Sequence, residues 1–317
     1  MSEAIPSFVI IHYSLVIYLK FQKRYPPMRY AYYPGCSAAS TARDLHASSI
    51  AVAVKLGIEL IEPDGWSCCG ATAAHQSDRI LAASLPAFNL ILVEEMGLDM
   101  VVNCAECFSR LKMTNHEVLN HPPVRKQIAE TVGREYDGCV NVRHFLEVLL
   151  EDFGMASLQA KFTHTLNELK VACYYGCLLV RPQEITQFDN PENPLSMDHL
   201  VTVMGGQSLD WPHKVECCGA GLTFTRTDVV VNLVDAIFGM AKASGAECIA
   251  VACPMCQANL DLRQNDINRE KGRHYDMPIV YISQLIGLCL GLSLEELGLR
   301  MLMVSPSRVV QAVKAVA

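Results

Sequence analysis

Short strand-like runs alternate with longer helical stretches, and one order of cysteines recurs in both halves of the chain. Together these predict an α/β fold. The expected architecture is two pseudo-symmetric Rossmann-like repeats with mainly parallel sheets and cysteine loops at the carboxyl ends of the strands. Three observations carry the repeat. "RYAYYPGC" (Arg29 to Cys36) and "KVACYYGC" (Lys170 to Cys177) share a basic residue, an apolar-aromatic run and a closing Gly-Cys. Adjacent cysteines follow, Cys68/Cys69 and Cys217/Cys218, each pair trailed by glycine. "CAEC" (Cys104 to Cys107) and "CPMC" (Cys253 to Cys256) come next, and from the second of each adjacent pair to the following cysteine is 35 positions in both halves.

Residues 1–27 form an N-terminal extension whose apolar stretch, Phe8 to Leu19, is short for a transmembrane helix. It lacks the basic flank of a signal peptide, since Glu3 is the one charge before it. It reads as an added or disordered segment, with a partner- or membrane-surface anchor as the sharper alternative. A first cysteine-rich domain is expected over 28–154, with strand-like runs "YAYY", "IELIE" and "MVVN" and a closing strand and helix in "VNVRHFLEVLLEDFG". Its helix "TARDLHASSIAVAVKLG" ends in glycine, a common stop. Residues 155–168 read as a linker. The second domain, 169–292, offers "VACYY", "VTVM" and "CIAVA" as strands, "TDVVVNLVDAIFGMAKASG" as a helix, and "PIVYISQLIGLCLGL" as the last strand and helix. Residues 293–317 read as a helical tail.

At 317 residues the chain can hold two ordinary domains, and 51% hydrophobic with 19% charged residues is a packed, not a disordered, composition. A net charge of −7 without a Lys/Arg block leaves no electrostatic footprint for nucleic acid. No integral membrane span is expected. The expected compartment is cytoplasmic, with thiols reduced or metal-bound.

Fourteen cysteines then need a chemistry. Neighbouring Cα atoms lie about 3.8 Å apart, whereas a disulfide needs about 4.4–6.8 Å, so adjacent cysteines make a strained bridge. Structural zinc is the serious rival, because CxxC is its half-site. Each half supplies five cysteines, however: Cys36, Cys68, Cys69, Cys104 and Cys107, then Cys177, Cys217, Cys218, Cys253 and Cys256. A tetrahedral ion would leave one over in each half, whereas vicinal thiolates can take different irons of a polynuclear cluster. The ferredoxin run C-x₂-C-x₂-C-x₃-C-P is absent.

Cys139, Cys173, Cys248 and Cys289 fall outside the pattern, the last three most simply as core. His46, His75, His144 and His213 show no ligand spacing and read as structural. Gly70 and Gly219 are expected to allow positive φ and close approach of backbone to an inorganic group. Pro254 is expected to open a helix whose free amides face the cluster sulfurs. Arg110, Lys112, Arg181, Arg226 and Arg263 lie near the motifs and read as solvated surface charges.

Two copies of C-x₃₁₋₃₉-CC-x₃₄-C-x₂-C, with glycine after each pair, resemble the cysteine-rich CCG domains of heterodisulfide reductase B subunits. "FDNPENPLSMDHLVTVMGG" before "ECCGAG", and "CPMCQANLDLRQ" after it, are especially similar to that family, and the resemblance runs from about Met28 to Leu292. It implies two noncubane [4Fe–4S] clusters, each held by five cysteines, and all ten positions match. It further implies a disulfide or thiol substrate between the clusters, a small ferredoxin-like C subunit, and a flavin-containing A subunit. The expected function is the iron–sulfur subunit of a heterodisulfide reductase-like oxidoreductase, reducing or forming a disulfide. It would be cytoplasmic or part of a membrane-associated complex. The alternatives are a non-catalytic electron-transfer subunit linking a dehydrogenase to a quinone or membrane partner, and a zinc-stabilised scaffold.

Overall fold

The computed structural model describes residues 28–316. The N-terminal extension therefore lies outside the described residues.

In the first half, strands β1 (Arg29–Tyr33), β2 (Glu59–Ile61), β3 (Met100–Val102) and β4 (Val142–His144) form a parallel sheet of order β2-β1-β3-β4. After a short strand β5 (His164–Thr165), the second half repeats the plan. Here β6 (Lys170–Tyr174), β7 (Gln207–Ser208), β8 (Cys248–Val251) and β9 (Ile279–Tyr281) take the order β7-β6-β8-β9, again parallel. Parallel strands flanked by helices are covered on both faces, which explains why β3, β8 and β9 are apolar and buried throughout. The expected α/β architecture with two like halves is the observed one.

The shared strand order places the cysteines. In each sheet the first strand lies between the second and third, so the chain leaves the first and third strands in opposite directions and opens a crevice between their carboxyl ends. Cys36 and Cys104 follow β1 and β3, and Cys177 and Cys253 follow β6 and β8.

Helix Arg43–Leu56 ends at Gly57, whose φ of +76° makes the left-handed cap that glycine adopts without a Cβ clash. Pro254 is the first residue of helix Pro254–Lys271, where its missing amide proton is no loss.

Two expectations are corrected. "VTVM" is not a strand, because residues 201–203 belong to helix Ser196–Val203. The strand is the two-residue edge β7 beyond Gly205 and Gly206. Met197, Leu200 and Val201 are fully buried at helical spacing, and this contact outweighs the β-propensity of the run. The tail is not one helix. A 3₁₀ turn (Leu299–Met301) and a helix (Ser307–Ala312) are separated by Pro306, and a last strand, β10 (Lys314–Ala315), pairs antiparallel with β5. The stretch 155–168, expected as the linker, carries helix Met155–Gln159 and β5.

Candidate cysteine-rich metal centre

Cys36 lies in the short helix Gly35–Ala39 directly after β1, Cys68 and Cys69 in the loop after β2, and Cys104 just after β3. Cys104 is the N-cap of helix Ala105–Asn120, which places Cys107 in its first turn. The fold brings these five thiols together: Cys68 Sγ is 3.6 Å from Cys36 Sγ, and Cys69 Sγ 3.4 Å from Cys107 Sγ. The second half repeats the arrangement. Cys253 caps helix Pro254–Lys271, Cys218 Sγ is 3.7 Å from Cys256 Sγ, and the Cys177 and Cys217 thiols hydrogen-bond to each other.

Matched tyrosines brace the two loops. The Tyr33 hydroxyl donates to the Ser67 carbonyl at 2.7 Å, and the Tyr174 hydroxyl to the Glu216 carbonyl at 2.5 Å. In each case the acceptor immediately precedes the adjacent cysteines. The glycine of each Gly-Cys also touches the site. A methyl group on Gly35 would lie 3.1 Å from Cys107 Sγ, and one on Gly176 3.0 Å from Cys256 Sγ. Gly70 and Gly219 do have positive φ, +79° and +76°. Their open side, however, faces helix side chains (Ala74 and Leu85; Leu233 and Val230), not the thiols. The backbone of Gly219 nevertheless reaches the site, its amide donating to Cys217 Sγ at 3.3 Å, while Gly35 and Gly176 leave room beside the sulfurs of Cys107 and Cys256.

The thiols share few negative charges. Donation from Cys107 and then Cys68 pushes Cys69 down to about 3, and donation from Cys177 takes Cys217 to about 6. Cys253 falls well below the ordinary thiol range through donation from Cys104 and Cys256, helped by the amides of Cys256 and Met255 at the helix start. Cys104 lies well above it: although Cys107 donates to it, its own donation to Cys253 and complete burial prevail.

The mutual influence of the Cys104 and Cys253 thiols joins the halves. The thiols therefore run in one sequence of contacts from Cys36 through Cys68, Cys69, Cys107 and Cys104 to Cys253, Cys256 and Cys218. Nearby, the Ser48 and Ser283 hydroxyls meet at 2.8 Å and Lys112 Nζ donates to the Thr186 carbonyl at 2.8 Å. Among the described residues no three His, Cys, Asp or Glu side chains converge as on one metal ion. Thiols strung in neighbouring pairs suit a polynuclear iron–sulfur group, in which adjacent thiolates can take different irons. On this donor set the ten cysteines fit such groups.

Outside the ten, Cys173, Cys248 and Cys289 are fully buried core residues, and Cys139 is exposed beside Glu94. His213 stacks on Trp211, and His46 meets the Tyr32 hydroxyl at 3.3 Å. Arg226 and Arg181 are surface charges paired with Asp228 and Glu192. Arg110 is not solvated: its side chain is 12% exposed, and its charge helps lower Cys69. Lys112 and Arg263 are also part-buried, Lys112 lying over the Phe108 ring and Arg263 against the Thr223 carbonyl. The buried Lys214–Asp198 ion pair, at 2.9 Å, has no signal in the sequence. Lys214 also supplies the carbonyl that accepts from the Tyr175 and Gly176 amides, so it anchors the turn before Cys177. An isolated lysine carries no periodic signature that would reveal this.

The cysteine-rich domain family CCG matches residues 30–112 and 171–261, which between them contain all ten cysteines. The chain is 32% identical over 273 residues to the 8-methylmenaquinol:fumarate reductase membrane anchor subunit of Wolinella succinogenes, covering 85% of this chain and 95% of that one. It is 33% identical over 251 residues to the B subunit of the ferredoxin/F(420)H(2)-dependent CoB-CoM heterodisulfide reductase of Methanosarcina acetivorans, covering 77% of this chain and 83% of that one. A hypothetical protein from Helicobacter pylori shares the fold, with a TM-score of 0.70 at 11% identity. The match covers 89% of this chain and 53% of that one, so this chain spans about half its length. Two matched domains, and relatives above 30% identity along most of both chains, carry one conclusion: the chain belongs to the cysteine-rich CCG proteins of the heterodisulfide reductase B-subunit family.

Proposed function

We propose that the chain is the iron–sulfur subunit of a heterodisulfide reductase-like complex, in which each half's five cysteines hold one noncubane [4Fe–4S] cluster. A disulfide would be reduced, or formed, between the two. The observation that carries this is the paired thiol sets meeting at Cys104 and Cys253. When bound, two such clusters supply one-electron chemistry at two neighbouring points, as the two-electron cleavage of a disulfide requires. The protein's own share is positional. Tyr33 and Tyr174 fix the adjacent cysteines, Gly35 and Gly176 leave room at the sulfurs, and helix-start amides favour the thiolate of Cys253. Cys36, Cys68 and Cys217 are exposed, which leaves their sulfurs open to a small molecule. An iron–sulfur electron-transfer role is supported by the relatives, and their names as subunits of reductase complexes favour partner subunits. A ferredoxin-like C subunit and a flavin-containing A subunit are the partners of this reading.

A second reading rests on the Wolinella succinogenes relative, named as the membrane anchor subunit of a fumarate reductase. On that reading the chain conducts electrons between a dehydrogenase and a quinone or membrane partner without binding a disulfide. Among the described residues no helix is long and apolar enough to cross a membrane.

Iron and acid-labile sulfide on anaerobically purified protein test the cluster assignment, with about eight of each per chain expected. Near-zero iron with bound zinc would overturn it. Titration of oxidised protein with thiols, followed by electron paramagnetic resonance, separates the two readings: a new thiol-dependent signal is expected of the reductase and none of the conduit.

A further inference from the structure

The two halves agree in strand order, cysteine set and bracing tyrosines, yet they differ in charge beside the thiols. Aligned on the cysteines, "CAECFSRLK" (Cys104 to Lys112) falls opposite "CPMCQANLD" (Cys253 to Asp261), and "SCC" (Ser67 to Cys69) opposite "ECC" (Glu216 to Cys218). Arg110 therefore stands where the second half has Asn259, Lys112 where it has Asp261, and Ser67 where it has Glu216. Glu106, opposite Met255, works the other way. Over these stretches the first half still carries a formal +1 and the second −2.

Arg110 is the strongest of these differences. It follows Cys107 by three residues in helix Ala105–Asn120, and its side chain is 12% exposed. Its charge acts on Cys69, whose Sγ is 3.4 Å from that of Cys107. The protein neutralises it loosely. Its ion pair with Glu106 is long, 3.9 Å, and its Nη1 meets Met113 Sδ at 3.8 Å. Its Nε is buried with no hydrogen-bond partner among the described residues.

The counterpart is employed differently. Asn259 is neutral, donates to the Cys218 carbonyl at 3.1 Å and accepts from the Thr223 hydroxyl at 2.8 Å. Glu216 lies next to Cys217, and its carboxylate works against the thiolate there. Backbone donors do not offset the contrast, because they recur: the Gly70 amide serves Cys68 as the Gly219 amide serves Cys217.

A group that accepts an electron gains negative charge, which nearby positive charge and solvent both favour, so each raises the potential. A buried charge is screened least. The first set has the charge, and with Cys36 and Cys68 it is also the more exposed.

We propose that Arg110 makes the first half's site the easier of the two to reduce, with Glu216 as its counterweight in the second. Of two electrons delivered singly, the first then settles in the first half and the second opposite it. This rests on the proposed function and gives its two like sites an order.

Redox titration of the anaerobic, cluster-loaded protein, followed by visible absorbance and paramagnetic resonance, is expected to resolve two midpoint potentials. Arg110→Gln is expected to lower the upper one by about tenfold in the reduction equilibrium, about 59 mV for one electron, and to leave the lower in place. Arg110→Lys, which keeps the charge, is expected to restore most of that loss. Glu216→Ser, at an exposed position, is expected to raise the lower potential by a smaller step and to leave the upper. A single potential in the parent protein overturns the proposal. So does Arg110→Gln moving the lower potential or neither, or Arg110→Lys falling as far as Arg110→Gln. An unmoved lower potential in Glu216→Ser overturns it too, and decides the matter should Arg110→Gln lose iron. Iron is counted on the same samples. Full iron with unmoved potentials sinks the ordering alone, whereas near-zero iron in the parent sinks the cluster assignment and the ordering with it.

Discussion

Replacing Cys217 or Cys218 by serine takes one thiol from the second set and leaves every strand of the first half untouched. Iron is therefore expected to fall by about half, to roughly four per chain, while the first half's spectrum persists. Full iron content in both variants would sink the ligand assignment. Gly35→Ala makes a complementary test, because a methyl at φ +70° and 3.1 Å from Cys107 Sγ opposes both the backbone and the site. A loss of about 1–2 kcal/mol, with iron depleted selectively from the first half, is expected from denaturant titration and metal analysis. At this scale the ten cysteines were legible from spacing alone, since a repeated pattern is a property of the chain. The immediate surroundings of the thiols were less so. Arg110 looked like a surface charge because nothing in "CFSRLK" says which face of the helix is covered.

Two helices from opposite halves bring like charges together. Asp44 in Arg43–Leu56 is buried and pushed up to about 6, chiefly by desolvation and in part by Asp261 of helix Pro254–Lys271. Its folded value exceeds the ordinary 3.8, so the stability it contributes is fully present below about pH 4 and is lost as pH rises through about 6. Asp44→Asn is expected to be more stable than the parent by about 1–3 kcal/mol at pH 7.5, and the difference should vanish near pH 4. Chemical denaturation at both pH values measures it. The Lys214–Asp198 pair should behave oppositely: Lys214→Met strands a buried carboxylate and is expected to cost about 3–5 kcal/mol. Elements were readable wherever period and cap agreed, as in "AVAVKLG" with its terminal glycine. Residues 201–203 were not, because β-branched residues in a short run fit either state until Leu200 and Val201 find their core.

Across the whole molecule the halves are joined by the Cys104–Cys253 thiols, the Ser48–Ser283 hydroxyls and the reach of Lys112 to Thr186. None of these joins was visible in the repeat, which shows that two halves are alike but not how they face each other. With so much shared interior the halves should unfold together. Thermal melts followed by backbone ellipticity and by cluster absorbance are expected to coincide, and two separated transitions would refute it.

The two sets of thiols are unequally covered. Two of the first five are exposed, Cys36 and Cys68, whereas in the second only Cys217 is, with Cys177 half-buried. Dioxygen and alkylating reagents therefore meet more sulfur on one side than on the other. Ageing in air should then be lopsided, eroding the first half before the second and leaving an intermediate population of half-spent molecules. The shelf life of the protein would be that of its more open half.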